Sequence, residues 1–134
     1  MSGGLVEVTY NPVAREFQEI VTGRQERIGG RWIGFFVIGN REPGVTKTTT
    51  IYYDRGGRPY FEGKTGLLDR TAIDIFQGIP GSVDPDRAER SAIVATYRVS
   101  DGTWWMACAF GDDAAWLEIS PTTLFEVAEQ LSPV

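Results

Sequence analysis

The chain has 134 residues and a mass of 14.8 kDa, 42% of it hydrophobic and 23% charged, which fits one globular domain with a core of its own. A net charge of −5 with a pI near 4.7 argues against a binder of nucleic-acid backbone. The complete absence of histidine removes Ser-His-Asp and Cys-His chemistry and the commonest ligand of transition metals. The single cysteine, Cys108, excludes an intramolecular disulfide and makes a reducing compartment the default.

Taken in order, Met1-Ser2-Gly3-Gly4 has neither the basic nor the apolar region of a secretory leader. No later run reaches the ~18 apolar residues of a membrane span. The expectation is a cytoplasmic protein with no membrane or nucleic-acid partner. Leu5 to Tyr10 alternates and reads either as a short strand or as the lead into a helix. Asn11-Pro12 then supplies an N-cap and a proline at the first helical position, and Val13, Phe17, Ile20 and Val21 recur at helical spacing. The pattern predicts a helix over 12–23, with Gly23 as its stop.

After Gly29-Gly30, residues 31–38 form a strong strand candidate in which Gly34 suggests a bend or bulge. Residues 40–44 read as a loop, and 46–53 (TKTTTIYY) as a β-prone segment that turns through Asp54-Arg55-Gly56-Gly57 into a strand over 59–62. Gly63-Lys64-Thr65 has the tail of a phosphate-binding loop but lacks its first glycine, since Arg58 stands there, so it reads as a turn. Residues 72–76 fit a strand better than a helix. Residues 77–90 form the longest irregular stretch, with one helical turn at 85–90. Residues 91–99, 103–110 and 114–119 read as three antiparallel strands, joined at Ser100-Asp101-Gly102 and Gly111-Asp112-Asp113. A last helix over 121–131, capped at Ser120-Pro121, closes the chain.

Strand 103–110 is apolar on both sides. Trp104, Met106, Cys108 and Phe110 share one face, and Trp105, Ala107 and Ala109 share the other. Both faces must therefore be covered, and the small residues beside Trp105 leave room for a cavity, a close-packed helix or a partner chain. About seven strands in one domain with an N-terminal and a C-terminal helix give a mainly β, α+β fold: an antiparallel β-barrel or a strongly curved sheet.

The aromatic set Trp32, Tyr52, Tyr97, Trp104, Trp105 and Trp116 is the most informative feature, as core or as the wall of a cavity. Trp32, Tyr52, Tyr97 and Trp105 are the candidate ligand-binding residues. Asp74, between Ile73 and Ile75, would have a raised pKa if it pointed inward, and Arg98 is its candidate partner from a neighbouring strand. These two are the candidate catalytic residues; pointing outward, both are solvated alternate positions, and Glu118 beside Trp116 carries the same ambiguity. Cys108 reads as an inert buried thiol, Asp112-Asp113 as turn residues, and Asp84, Asp86, Arg87, Glu89 and Arg90 as a solvated loop or the gate of a cavity mouth.

Part of the chain resembles the lipocalin-like (calycin) families of small β-barrels. Gly30-Arg31-Trp32 looks like their G-x-W signature, Thr71-Ala72-Ile73-Asp74 continues the match, and the stretch from Ala95 to Trp104 is similar to a hairpin of bacterial lipocalin-like domains. The match covers about residues 30–119. Its implication is a cavity for a small apolar ligand, in some members with cofactor-free chemistry. The functional expectation is binding of a small hydrophobic molecule in an aromatic-lined cavity, with no cofactor or metal. Chemistry there would be of the cyclisation or isomerisation type, driven by proximity and exclusion of water. The rival expectation is an acidic inhibitor or immunity-type protein that neutralises a basic partner protein. A homodimer formed through the two-sided strands is compatible with either.

Overall fold

The computed structural model describes residues 4–60, 66–117 and 123–134. Its centre is a six-stranded antiparallel sheet in the order β1-β6-β5-β2-β3-β4. The strands are β1 (Val6–Glu7), β2 (Gly34–Glu42), β3 (Val45–Tyr53), β4 (Pro59–Tyr60), β5 (Ser91–Arg98) and β6 (Thr103–Phe110). The sheet is open, with β1 and β4 at its edges, so of the two forms expected the closed barrel is not made. The α+β class holds. The helices are α1 (Pro12–Ile28), α2 (Arg70–Gln77), α3 (Ile79–Val83) and α4 (Leu124–Leu131), with a 3₁₀ helix over Gly111–Leu117.

Both faces of the sheet are buried, by different means. On one, Phe35, Val37, Tyr52, Ile93, Ala95, Tyr97, Met106 and Cys108 pack against Phe17 and Val21 of α1 and Ala72 and Phe76 of α2. On the other, Phe36, Ile38, Ile51, Tyr53, Val94, Ala107 and Ala109 meet Ala114 and Leu117 of the 3₁₀ helix and Ala128 and Leu131 of α4. Each fully buried phenylalanine contributes about 1.5–3 kcal/mol by leaving water. The two-sided strand β6 is thus covered within its own chain. The room beside Ala107 and Ala109 is filled by a short helix, the close-packed option among the three expected.

Helix α1 starts as its sequence signals: Asn11 accepts from the Ala14 amide at 3.0 Å, and Pro12 occupies the first turn. It passes through Gly23, the expected stop, and ends at Gly29, whose φ of +65° suits glycine. Arg24, Gln25 and Arg27 are good helix formers, so one glycine at a cost of about 1 kcal/mol does not end the run. Arg24 then reaches Asp69 at 2.8 Å and the Leu67 carbonyl, tying α1 to the start of α2.

Four expectations are corrected. Residues 72–76 are helical, not extended. Asp69 caps α2 by accepting from the Ala72 amide at 2.9 Å, and the buried pair is Ala72 and Phe76, four residues apart. The alternation of Ile73 and Ile75 was the weaker signal, and both are only half-buried. Residues 114–117 belong to a 3₁₀ helix whose buried Ala114 and Leu117 are three apart, the period of that helix. The helical turn expected at 85–90 lies earlier, at Ile79–Val83. Strand β2 begins three residues late and runs through Asn40, because Pro43-Gly44 makes a two-residue hairpin with Gly44 at φ +77°. Gly63-Lys64-Thr65, Glu118 and the Ser120-Pro121 cap lie outside the described residues.

Gly34 opens β2 where the backbone is crowded and neither bends nor bulges it: a Cβ there would stand 2.8 Å from the Tyr97 carbonyl oxygen and 2.9 Å from Pro133 Cγ. The register across β2 pairs Phe35 with both Tyr52 and Tyr97, which gathers the aromatic residues on one side of the sheet.

Candidate functional site

The aromatic residues on the α1 side form one continuous stack. Tyr60 lies 6.2 Å from Tyr52, Tyr52 lies 5.0 Å from Trp32 and 5.8 Å from Phe35, and Phe35 lies 5.4 Å from Tyr97, centroid to centroid. Tyr97 lies 4.6 Å from Trp104, which meets Phe17 edge-on at 5.9 Å. Three of the four candidate ligand-binding residues, Trp32, Tyr52 and Tyr97, therefore come together. The fourth, Trp105, points to the opposite face, against the second core cluster. Of Trp116 only the backbone is described.

Trp32 has a distinct electrostatic position in this stack. Its ring is 5% exposed, and among the described residues its indole Nε1–H has no acceptor. An unmet buried donor costs about 1–3 kcal/mol. Trp104, in contrast, donates to Thr22 Oγ1 at 3.3 Å. Burial raises the Tyr97 phenol above its ordinary value, and the nearby carboxylates of Glu26 and Asp101 add to that while a hydrogen bond with Thr22 opposes it. Desolvation pushes the Cys108 thiol up to about 12, which keeps it protonated and inert, as expected of a buried thiol.

The two candidate catalytic residues are not brought together. Asp74 lies on the exposed side of α2, 3.3 Å from Arg70 one turn earlier. Arg98 ends β5 and forks onto Asp101 of the following turn, whose carboxylate also accepts from the Thr103 amide. That pairing holds the Asp101 carboxyl far below the usual carboxylate range. Asp74 is outside because 70–77 is a helix whose buried side carries Ala72 and Phe76. Asp112 and Asp113 are exposed at the start of the 3₁₀ helix, and Asp84 pairs with Arg87, whose guanidinium covers the Phe110 ring at 4.7 Å. Among the described residues no three His, Cys, Asp or Glu side chains gather to hold a metal ion, and no helix is long and apolar enough to cross a membrane.

A second feature lies on the surface, and only part of it was legible in the sequence. Two open clefts of about 440 Å³ each run along the outer side of α1. One is lined by Val8, Tyr10, Asn11 and Pro12, the other by Thr22, Glu26, Gly102 and Trp104, and both are lined by Arg15 and Gln18. Sharing Arg15 and Gln18, they form one groove between α1 and β6, where Gln18 donates to Met106 Sδ. Tyr10 at its mouth is fully exposed and is the only non-glycine residue with positive φ among the described residues, at +53°. It stands at the position before the N-cap, where an apolar side chain usually packs on the fourth helical residue. That residue is Arg15, which pairs with Glu19 at 3.3 Å, so among the described residues Tyr10 has no apolar partner and stays in water. The sequence signal was available: a tyrosine before Asn-Pro with a charge five residues on.

No family model matches the chain, and no curated protein or solved structure matches it.

Proposed function

We propose that the protein is a binding module that grips a basic segment of a partner protein in the groove along α1, the inhibitor or immunity type of function. The observation that carries this reading is Tyr10: a large aromatic held in solvent in a conformation that disfavours it, at the mouth of a groove that ends on a second aromatic, Trp104. Backbone strain of this kind, of order 1–3 kcal/mol, clusters where a chain presents a residue for use. Tyrosine and tryptophan are the side chains most enriched among the anchors of protein interfaces. The charges support a basic occupant. Arg15 and Arg98 are already paired with Glu19 and Asp101, whereas Glu26 has no cation beside it among the described residues. The net charge of −5 favours the encounter at long range.

The test uses a photo-crosslinking residue at Gly23, where a Cβ would meet nothing within 4 Å, and at exposed Val45 as a control away from the groove. In the source cells the Gly23 probe is expected to capture one basic protein that the Val45 probe does not, and Glu26→Lys is expected to abolish the adduct. Equal labelling from both positions, or an adduct indifferent to Glu26→Lys, sinks the proposal.

A second reading, a small and mostly apolar ligand at the Trp32–Tyr52 end of the stack, is favoured by the unpartnered indole N–H. A ligand carrying one carbonyl or ether oxygen would satisfy it. Native mass spectrometry of protein taken from its source cells decides between the two: a retained small molecule, lost on denaturation and lost in Trp32→Phe, supports this reading over the first.

A further inference from the structure

Helices cover both faces of the sheet, but its two edges are treated differently. At one edge β1 pairs with Ala107 and Cys108 of β6, and Val8 donates to the Met106 carbonyl at 2.9 Å. At the other, β4 meets only Tyr52 and Tyr53 of the nine-residue β3, so Val45 to Ile51 has no outer neighbour among the described residues. The ladder fixes which backbone groups are free there. Asp54 donates to the Arg58 carbonyl at 3.0 Å across this edge, and every second residue of an antiparallel strand turns its amide and carbonyl the same way. Thr50, Thr48 and Thr46 therefore each turn one N–H and one C=O outward, and among the described residues no backbone group meets them.

Natural sheets blunt an edge of this kind with proline, a bulge or several charges. Residues 45–51, VTKTTTI, hold no proline and one charge, Lys47, and their pairing with β2 is unbroken from residue to residue. Valine, isoleucine and threonine all favour strands. Val45 is 63% exposed, one of the few large apolar side chains left in water. A regular, uncovered edge of this composition accepts another strand.

We propose that the occupant is the same edge of a second copy, in a two-fold antiparallel pairing centred on Thr48. The sequence and β4 together select that register. Centring on Lys47 would set two like charges directly opposite each other, which is destabilising. Centring on Thr49 or Thr50 would bring Thr46 or Thr48 opposite the partner's Tyr52, whose edge Tyr60 already occupies. Centring on Thr46 would leave Thr50 beyond the partner's hairpin turn at Pro43-Gly44. Centred on Thr48, the three outward threonines of each copy meet those of the other, Thr46 with Thr50 and Thr48 with its counterpart. Lys47 then faces threonine, and exposed Val45 lies opposite Ile51. Such a contact is isologous and closes at two copies. The α1 groove lies along β6, with β5 and β2 between it and β3, so pairing leaves both grooves open at the outer ends of the joined sheet. An interface of one strand pair is small, so the dimer dissociates on dilution.

The test is sedimentation equilibrium of the full chain over a concentration series, with amide hydrogen exchange read at the same concentrations. The mass is expected to rise from 14.8 kDa towards twice that value and to stop there. As it rises, the amides of Thr46, Thr48 and Thr50 should exchange more slowly, while those of Lys47 and Thr49, already bonded to β2, change little. Thr48→Pro removes an outward amide that the chain itself does not use, so the monomer keeps its ladder and dimerisation weakens by about tenfold or more. Thr48→Lys sets like charges opposite each other and is expected to keep the chain monomeric. Mixing it with Thr48→Glu is expected to restore the dimer, which an unfolded variant could not do. A mass of 14.8 kDa at every concentration would overturn the proposal. So would a dimer that leaves exchange at Thr46, Thr48 and Thr50 unchanged, growth beyond two copies, or a Lys and Glu mixture that stays monomeric.

Discussion

Replacing Tyr10 by glycine and, separately, by alanine tests whether this residue is presented at the expense of the fold. The left-handed region costs a non-glycine residue about 1–2 kcal/mol through the clash of Cβ with its own backbone. Glycine removes that clash but loosens the unfolded chain, which takes back about 0.4–1 kcal/mol. The Tyr10 side chain is fully exposed, so its removal forfeits almost no buried area. The expected balance is that Tyr10→Gly equals or exceeds wild-type stability, by up to about 1.5 kcal/mol. Tyr10→Ala keeps the Cβ and its clash, and is expected within about 0.5 kcal/mol of wild type.

Urea unfolding followed by tryptophan fluorescence measures both differences, with m held equal as the check that only stability has changed. A gain of about 1 kcal/mol raises Tm by roughly 3–5 °C in a domain of this size. If both variants lose more than about 1 kcal/mol, the ring is packed in solution and the reasoning fails at its first step. If alanine matches glycine, the backbone at position 10 is unstrained and Tyr10 loses its claim to a presented anchor. The same two variants should lose the crosslink from Gly23, so one pair of proteins reads both strain and use.

Phe76→Ala is expected to cost about 3–5 kcal/mol, since Phe76 is fully buried 4.8 Å from the Phe17 ring, whereas Asp74→Ala should stay within about 0.5 kcal/mol. Comparable losses at both positions would contradict the helical reading of 70–77. Asp69, Asp84 and Asp101 all titrate below their ordinary 3.8, because Arg24, Arg87 and Arg98 respectively favour the charged form. Their folded values lie below the unfolded one, so the stability they contribute is present above 3.8 and is lost as pH falls through the folded values. Unfolding free energy should therefore drop on acidification below about pH 4, and Asp101→Asn should flatten that drop; an unchanged slope in this variant would show that the Arg98 pair does not persist in solution. Cys108, pushed up to about 12, should resist a thiol reagent at pH 8 until the chain is unfolded; modification at the rate of an exposed thiol would place it at the surface.

How much of this was legible in the sequence depends on how local each signal is. The turns were, because Asp54 and Asp101 bind their own neighbouring amides and Gly57 and Gly102 take positive φ, with no help from the rest of the chain. The α1 cap was, for the same reason. Strand β6 announced that both its faces would be covered, but not by what. The covering element, residues 111–117, buries Ala114 and Leu117 three apart, but the short apolar run AAWL taken by itself reads equally well as a strand. Helix α2 was missed where two periodicities competed over few residues. Ile73 and Ile75 alternate, Ala72 and Phe76 are four apart, and only the docking of Phe76 on Phe17 decides between them.

The candidate site divides in the same way. Trp32, Tyr52 and Tyr97 were recognisable as a group because aromatic residues in neighbouring strands are drawn to one buried face, and the β2 register then makes them neighbours. Trp105 went with them in the sequence but not in space, since one residue along a strand reverses the face. Asp74 and Arg98 failed for a simpler reason: position 74 is on a helix whose buried side carries Ala72 and Phe76, and Arg98, at the end of β5, is taken by Asp101 of the following turn. The groove residues were the least legible. Tyr10 matters through what it lacks, an apolar partner at Arg15, and a missing contact leaves no periodic pattern to read. The proposed binding therefore rests on the surface. There the fold holds Tyr10 in water at positive φ, and among the described residues no packing partner accounts for it.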